Sequence, residues 1–218
     1  MKIALLGGTG DIGAGLALRF ALLGHEVIIG SRKVEKASSK CDEYTEIVKS
    51  RKEDCKLCGM SNKDAADEAE IAFLTIPWKY VFSTAEALVD HLKDKIVVSP
   101  VVQMDKVGKG FLYCPPEKGS AAEQVADILK DSRVVAAFQT VPAAKFCDLD
   151  AEFNWDVPVC SDDEDAKKVV IDLANQINGL RALDAGPLSA ARMVESITPL
   201  LVNIMIRNKL KNLSVKFC

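Results

Sequence analysis

Three glycines spaced Gly8-x-Gly10-x-x-Gly13 follow the apolar run Lys2 to Leu6 and open a stretch in which Ile12, Leu16, Phe20 and Leu23 recur at helical intervals as far as Gly24. A strand, a turn almost free of side chains and a helix start let backbone N–H groups meet a pyrophosphate. Gly8, Thr9, Gly10, Asp11, Ile12 and Gly13 therefore read as a dinucleotide cradle. In this reading Gly8 permits the tight turn, Gly10 leaves room for the diphosphate and Gly13 lets the helix approach the sheet. Glu26-Val27-Ile28-Ile29 reads as the next strand and leads into Ser31-Arg32, with Lys33 and Lys36 close behind. A site for NAD wants a carboxylate at that exit, to accept hydrogen bonds from the ribose 2′-hydroxyl. Arg32 and Lys36 offer positive charge instead, which suits a 2′-phosphate and selects NADP(H).

Other groups able to do acid–base work are scarce. The chain has two histidines, His25 at a helix–strand turn and His91 at the end of a surface helix. It also lacks the Tyr-x-x-x-Lys pair with which a carbonyl reductase protonates an alkoxide. Cys55-Lys56-Leu57-Cys58 has the spacing of half a zinc site or a redox pair, but no second pair lies near it; we read it as structural and expect no metal. What remains is hydride chemistry between flat rings, where the protein mainly sets distance and orientation. The apolar exits Ile76-Pro77-Trp78 and Val141-Pro142-Ala143 suit such rings.

The elements that must position these residues alternate. Strands are expected at Cys55 to Met60, Ile71 to Thr75, Lys95 to Ser99, Val134 to Phe138, Val157 to Cys160 and Leu180 to Leu183. Helices are expected at Lys33 to Val48, Lys63 to Glu68, Trp78 to Leu92, Ala121 to Leu129, after Asp162-Asp163-Glu164, and over Ser189 to Asn208. Gly108 to Gly119, rich in Gly and Pro, reads as irregular. This succession predicts an α/β fold of Rossmann type: a doubly wound, mostly parallel sheet with a small helical C-terminal portion. We divide it into residues 1–184, binding NADP, and residues 185–218, a helical segment. Ligands then belong at the strand exits, which adds Thr75, Ile76, Pro77, Ser99 and Gln139 to the candidate site.

With 218 residues, 49% of them hydrophobic, the chain can bury a substantial core, and its net charge of −3 gives no reason to expect a nucleic-acid partner. A strand beginning within two residues of Met1 leaves no room for a signal peptide, no apolar run approaches a membrane span, and seven scattered cysteines argue against a disulfide framework. These features place the expected protein in the cytoplasm, away from membranes. The stripe Met193, Ile197, Leu200, Ile204 and Met205 is more apolar than a surface helix requires and wants a partner.

Taken together, Ala4-Leu5-Leu6-Gly7-Gly8-Thr9-Gly10, Gly30-Ser31-Arg32, Leu74-Thr75-Ile76-Pro77-Trp78, Val97-Val98-Ser99-Pro100, Pro142-Ala143-Ala144, Trp155 to Cys160, Leu183 to Leu188 and Val194 to Leu200 resemble the NADPH oxidoreductases of archaea and bacteria that depend on the 8-hydroxy-5-deazaflavin coenzyme F420. The resemblance implies reversible hydride exchange between C4 of the nicotinamide and C5 of the deazaflavin, in a protein that is typically a homodimer. It assigns Thr9, Gly10, Asp11 and Ile12 to the diphosphate, Ser31, Arg32 and Lys36 to the 2′-phosphate, and Ile76 and Pro77 to the nicotinamide side. Coenzyme F420 would meet the C-terminal portion and the loop after Phe138, with Gln139, Pro77 and Pro142 as ring-positioning residues and no side chain acting as acid or base. Relatives often carry His where this chain has Gln139, which does not titrate near neutrality. Lys145, Arg207 and Lys209 are candidates for the anionic tail of the coenzyme. Two other readings stay open on the residues alone: a flavin or ferric reductase with the same nucleotide domain, and a non-enzymatic NADP(H) sensor.

Overall fold

The computed structural model describes residues 1–218. Its strands are β1 (Lys2–Leu6), β2 (Glu26–Ser31), β3 (Lys56–Ser61), β4 (Ile71–Leu74), β5 (Ile96–Ser99), β6 (Met104–Val107), β7 (Gly110–Tyr113), β8 (Arg133–Ala136), β9 (Trp155–Val159) and β10 (Leu180–Asp184). The helices are α1 (Asp11–Leu22), α2 (Val34–Lys49), α3 (Asn62–Glu68), α4 (Trp78–Ala87), α5 (Val89–Leu92), α6 (Ala121–Ile128), α7 (Ala143–Cys147), α8 (Glu164–Asn175) and α9 (Ala191–Asn208), the last entered through a 3-10 turn at Leu188–Ala190.

Six strands form a parallel sheet in the order β3-β2-β1-β4-β5-β8, the Rossmann-type arrangement expected from the alternation. Strand order reverses between β1 and β4, where Leu5 pairs with Ile29 on one side and Phe73 on the other. Both sheet faces are covered, so alternate residues of each strand enter different cores. Ile3, Leu5, Val27, Ile29 and Phe73 pack with α1, α2 and α8, whereas Ala4, Leu6, Ile28, Ala72 and Leu74 pack with α3, α4 and α6. This is why the central strands read as continuous apolar runs rather than as alternating ones.

Several expected boundaries shift for local reasons. The span Trp78 to Leu92 is two helices, broken at Leu88, whose ψ of 10° leaves the helical range. Residues 104–113 form an antiparallel hairpin, β6–β7, across a two-residue turn in which Gly108 takes φ +59°, so the region expected to be irregular from Gly108 begins with a strand pair. The strand expected to run to Phe138 ends at Ala136, because Phe138 is left-handed, at φ +69°. Strands β9 and β10 pair with each other in parallel and meet the main sheet only through the antiparallel bridge Ala136–Cys160. The five-residue α7 was not foreseen.

Two buried carboxylates fasten the C-terminal portion. Asp156, fully buried on β9, accepts bidentate bonds from Arg181 at 2.8 and 2.7 Å, and further bonds from Lys216 Nζ and the Phe217 N–H. The Arg181 guanidinium holds its carboxyl well below the usual range, and the contacts draw the last residues back across β9. Glu195 of α9, also fully buried, accepts from the Ala121 and Ala122 N–H groups at the start of α6 (2.9 and 3.1 Å) and from the Tyr113 hydroxyl of β7 (2.9 Å).

Burial outweighs those three donors and pushes Glu195 up to about 7 from an ordinary 4.5, with Glu123 adding repulsion. A carboxyl that binds its proton more tightly in the folded chain contributes stability that is present below its unfolded pKa and lost as pH rises through the folded one. Thermal unfolding measured from pH 4.5 to 8 is expected to lose about 3 kcal/mol that a Glu195→Gln variant does not lose. Parallel curves for the two proteins contradict this.

Candidate functional site

The exits of β1, β2, β4, β5 and β8 open on one cleft of about 1080 Å³. Its floor at one end is the turn after β1. There the left-handed residue is Gly7, at φ +76°, where a Cβ would meet Ile76 Cγ1 at 2.8 Å and Thr75 O at 3.1 Å. The conformational freedom assigned above to Gly8 thus belongs to Gly7. Gly8 is needed for space: a Cβ on it would lie 2.7 Å from Leu5 O, and one on Gly13 only 2.6 Å from Gly8 Cα. Gly10, the N-cap of α1, brings no side-chain cap to the first turn, and the nearest atom to a Cβ on it is 3.9 Å away. The first-turn N–H groups of Asp11, Ile12 and Gly13 therefore have no partner inside the helix. They form an anion seat with open space above it.

Asn62, at the exit of β3, was not anticipated. Its Oδ1 accepts from the Gly7 N–H at 3.1 Å, tying the β3 exit to the glycine turn across β2. A Cβ on the intervening Gly30 would meet that oxygen at 2.8 Å. The rule that sites gather at strand exits could have found Asn62, since it directly follows β3.

At the β2 exit Ser31 is buried and its Oγ accepts from the Lys33 N–H at 3.3 Å. Arg32, Lys33 and Lys36 line the cleft, and none of the three forms an ion pair within 4 Å. Three unpaired cations around one end of a cleft suit a doubly charged phosphate.

At the other end Ile76 and Pro77 line the wall with Pro100, Val101, Ala143 and Thr198. Thr75 lines it too, but its hydroxyl donates to Leu6 O at 2.9 Å and serves the strand pairing. Gln139 reaches the cleft because Phe138 turns left-handed beneath it, pinned by a 5.8 Å aromatic contact with Phe73. Its Nε2 donates to Ser99 O at 3.3 Å, which leaves Oε1 buried without a partner; Ser99 Oγ and Thr140 Oγ1 are orphaned as well. Each such atom costs about 1–3 kcal/mol unless something satisfies it. The loop is held from behind, where Thr198 of α9 donates to Gln139 O and Ser214 of the tail to Thr140 O, both at 2.9 Å.

Of the residues expected in the site, Thr9, Gly10, Asp11, Ile12, Ser31, Arg32, Lys36, Thr75, Ile76, Pro77 and Gln139 line this cleft. Gly8 and Gly13 lie behind it. Ser99 is fully buried, and Pro142 serves as the N-cap of α7. No group of three or more His, Cys, Asp or Glu side chains gathers as metal ligands, all seven cysteines are free, and no helix is long and apolar enough to cross a membrane.

Residues 2–103 match a family model described as NADP oxidoreductase, coenzyme F420-dependent. The chain is 48% identical to the F420-dependent NADP reductase of Methanocaldococcus jannaschii, across 99% of this chain and 97% of that one. It is 42% identical to the F420-dependent NADP reductase of Methanothermobacter marburgensis, again across 99% and 97%. A solved structure from Arthrobacter sp. FB24 superposes with a TM-score of 0.83 over 100% of this chain and 99% of that one; at 24% identity the likeness concerns the fold alone.

Proposed function

The chain belongs to the family of coenzyme F420-dependent NADP oxidoreductases, and from that premise we infer that it carries out reversible hydride transfer between NADP(H) and coenzyme F420. Reduced coenzyme F420 and NADP⁺ give the oxidised coenzyme, NADPH and a proton, the nicotinamide and deazaflavin supplying the chemistry between them. One observation carries the reading: a single cleft has unpaired cations and uncapped N–H groups at one end and an apolar wall at the other, where Gln139 keeps an unpartnered Oε1. Those features fit a 2′-phosphorylated dinucleotide and a planar partner.

Within this reading the N–H groups of Asp11 and Ile12, with Thr9 and Gly10, receive the diphosphate, and Gly8 and Gly13 keep α1 close enough for them to do so. Ser31, Arg32 and Lys36 receive the 2′-phosphate. Ile76 and Pro77 border the nicotinamide, Thr75 lines the cleft between the rings, and Ser99, buried behind it, holds Gln139 through its carbonyl. Gln139 Oε1 accepts from an amide or ring N–H of a bound carrier, and Pro142 fixes the start of α7 beside it. No side chain moves a proton; the residues hold, orient and exclude water. Residues 185–218 brace this end of the cleft through Thr198 and Ser214. On α9 the exposed Met193, Leu200 and Ile204 offer an apolar face that supports packing against a second copy of the chain as a homodimer. The cytoplasm, where both carriers are available, is the compartment this activity requires.

Mixing the protein with NADPH and oxidised coenzyme F420 should consume the two in equal amounts, with free flavins turned over far more slowly. Faster turnover of flavins would make it a flavin reductase, and tight NADPH binding with no turnover a sensor. Gln139→Ala is expected to lower kcat/KM for coenzyme F420 about tenfold, the worth of one positioning hydrogen bond. Unchanged steady-state constants would show that Gln139 is peripheral.

A further inference from the structure

The order β2-β1-β4 sets the exit of β2 two strands away from that of β4, on the order of 10 Å. Arg32 leaves the first and nevertheless reaches the second. Its guanidinium carbon lies 5.3 Å from the centroid of the Tyr80 ring, on the first turn of α4. The side chain therefore crosses the mouth of the cleft above the β1 turn, while the residue stays exposed. Glu35, three residues along, is a natural partner for an arginine on this segment, and no ion pair forms between them.

Tyr80 has the properties of a platform. Its backbone is locked, the N–H donating to Pro77 O at 2.9 Å and the carbonyl accepting from Thr84 Oγ1 at 2.8 Å and Ser83 Oγ at 3.2 Å. The residue is 51% exposed and lines the cleft, so it contributes little to any core. Stacking uses the face of a guanidinium and leaves the edge, with its N–H groups, free to bind an anion. A lone arginine is spread over many rotamers and must be ordered when the anion arrives, whereas one already resting over a ring is largely in place.

We propose that Tyr80 is a positioning residue for cofactor choice: with its ring beneath the Arg32 guanidinium, it holds that group toward the 2′-phosphate and so raises the preference for NADP(H) over NAD(H). The proposal rests on the placement of the 2′-phosphate at Arg32 given above. Tyr80 acts through Arg32 and not on the phosphate itself, so its ring matters and its hydroxyl does not.

The test is direct binding of NADPH and NADH to the folded protein and to Tyr80→Leu, Tyr80→Phe, Arg32→Ala and the Arg32→Ala/Tyr80→Leu double variant, with circular dichroism confirming the fold of each. Tyr80→Leu is expected to weaken NADPH about fivefold, the worth of an exposed cation–π contact, and to leave NADH unchanged. Tyr80→Phe should bind as the parent does, and the double variant should bind NADPH no more weakly than Arg32→Ala alone. Equal weakening of NADPH and NADH by Tyr80→Leu, or additive losses in the double variant, would overturn the proposal by placing the ring against a part common to both nucleotides. Arg32→Ala with undiminished NADPH binding would overturn the placement of the 2′-phosphate, and the proposal with it.

Discussion

Arg32→Asp is expected to weaken NADP(H) binding about a hundredfold or more while changing NAD(H) binding little. The substitution removes a guanidinium whose hydrogen bonds to a phosphate are worth about 1.5–3 kcal/mol, and it adds a carboxylate beside the same phosphate. Two like unit charges 6 Å apart repel by about 3 kcal/mol at an effective dielectric constant of 20, and the 2′-phosphate carries nearly two charges. Lys36, one helical turn away and unpaired, remains to offset part of this. For NAD(H) the new carboxylate meets a hydroxyl and accepts a hydrogen bond from it. Titrating both nucleotides into the variant checks the result. Equal losses would mean that Arg32 contacts something the two share, and would remove the basis for NADP selectivity.

The second large effect is expected at Gly13. In Gly13→Ala the new Cβ would lie 2.6 Å from Gly8 Cα and 2.8 Å from Gly8 C and O. All three are backbone atoms, so no rotamer change relieves the clash and α1 must move away from the turn. Overpacking of this kind costs about 1–3 kcal/mol of stability. The displacement carries the Asp11 and Ile12 N–H groups away from the diphosphate, and NADP(H) and NAD(H) binding should both fall at least about tenfold. Gly10→Ala is the control. A Cβ there has no neighbour nearer than 3.9 Å, so the folded chain should keep its stability and lose only nucleotide binding, because the space it fills is the ligand's. If the two variants lower the melting temperature equally, the close approach of α1 to Gly8 is not what Gly13 provides.

Both effects lie in the part of the molecule that the sequence discloses best. The turn after β1 and the end of β2 involve residues within about thirty positions of each other, and their contacts follow from strand, turn and helix geometry that repeats wherever this spacing occurs. Even so, the turn role read at Gly8 belongs to Gly7: spacing identifies the motif, but only φ and the approach of Ile76, some seventy residues away, say which glycine needs freedom and which needs room.

The resemblance to a known family named the second carrier; the residues by themselves determined the strand–helix alternation of the main sheet, the two-faced burial of the central strands, the cradle from Gly8 to Gly13 and the positive β2 exit. These depend on local periodicity, on glycine sterics and on charge, all of which a linear chain displays. Tertiary structure decided the rest. It brought Tyr80 beneath Arg32, Asn62 to the Gly7 N–H, and Thr198 and Ser214 behind the Gln139 loop. It also buried Glu195 against the start of α6. Each of these contacts joins residues 48 to 74 positions apart in sequence. Their existence depends on which strand exits become neighbours when the sheet order reverses, and on where the last helix and tail fold back, and no periodic pattern in the chain encodes either.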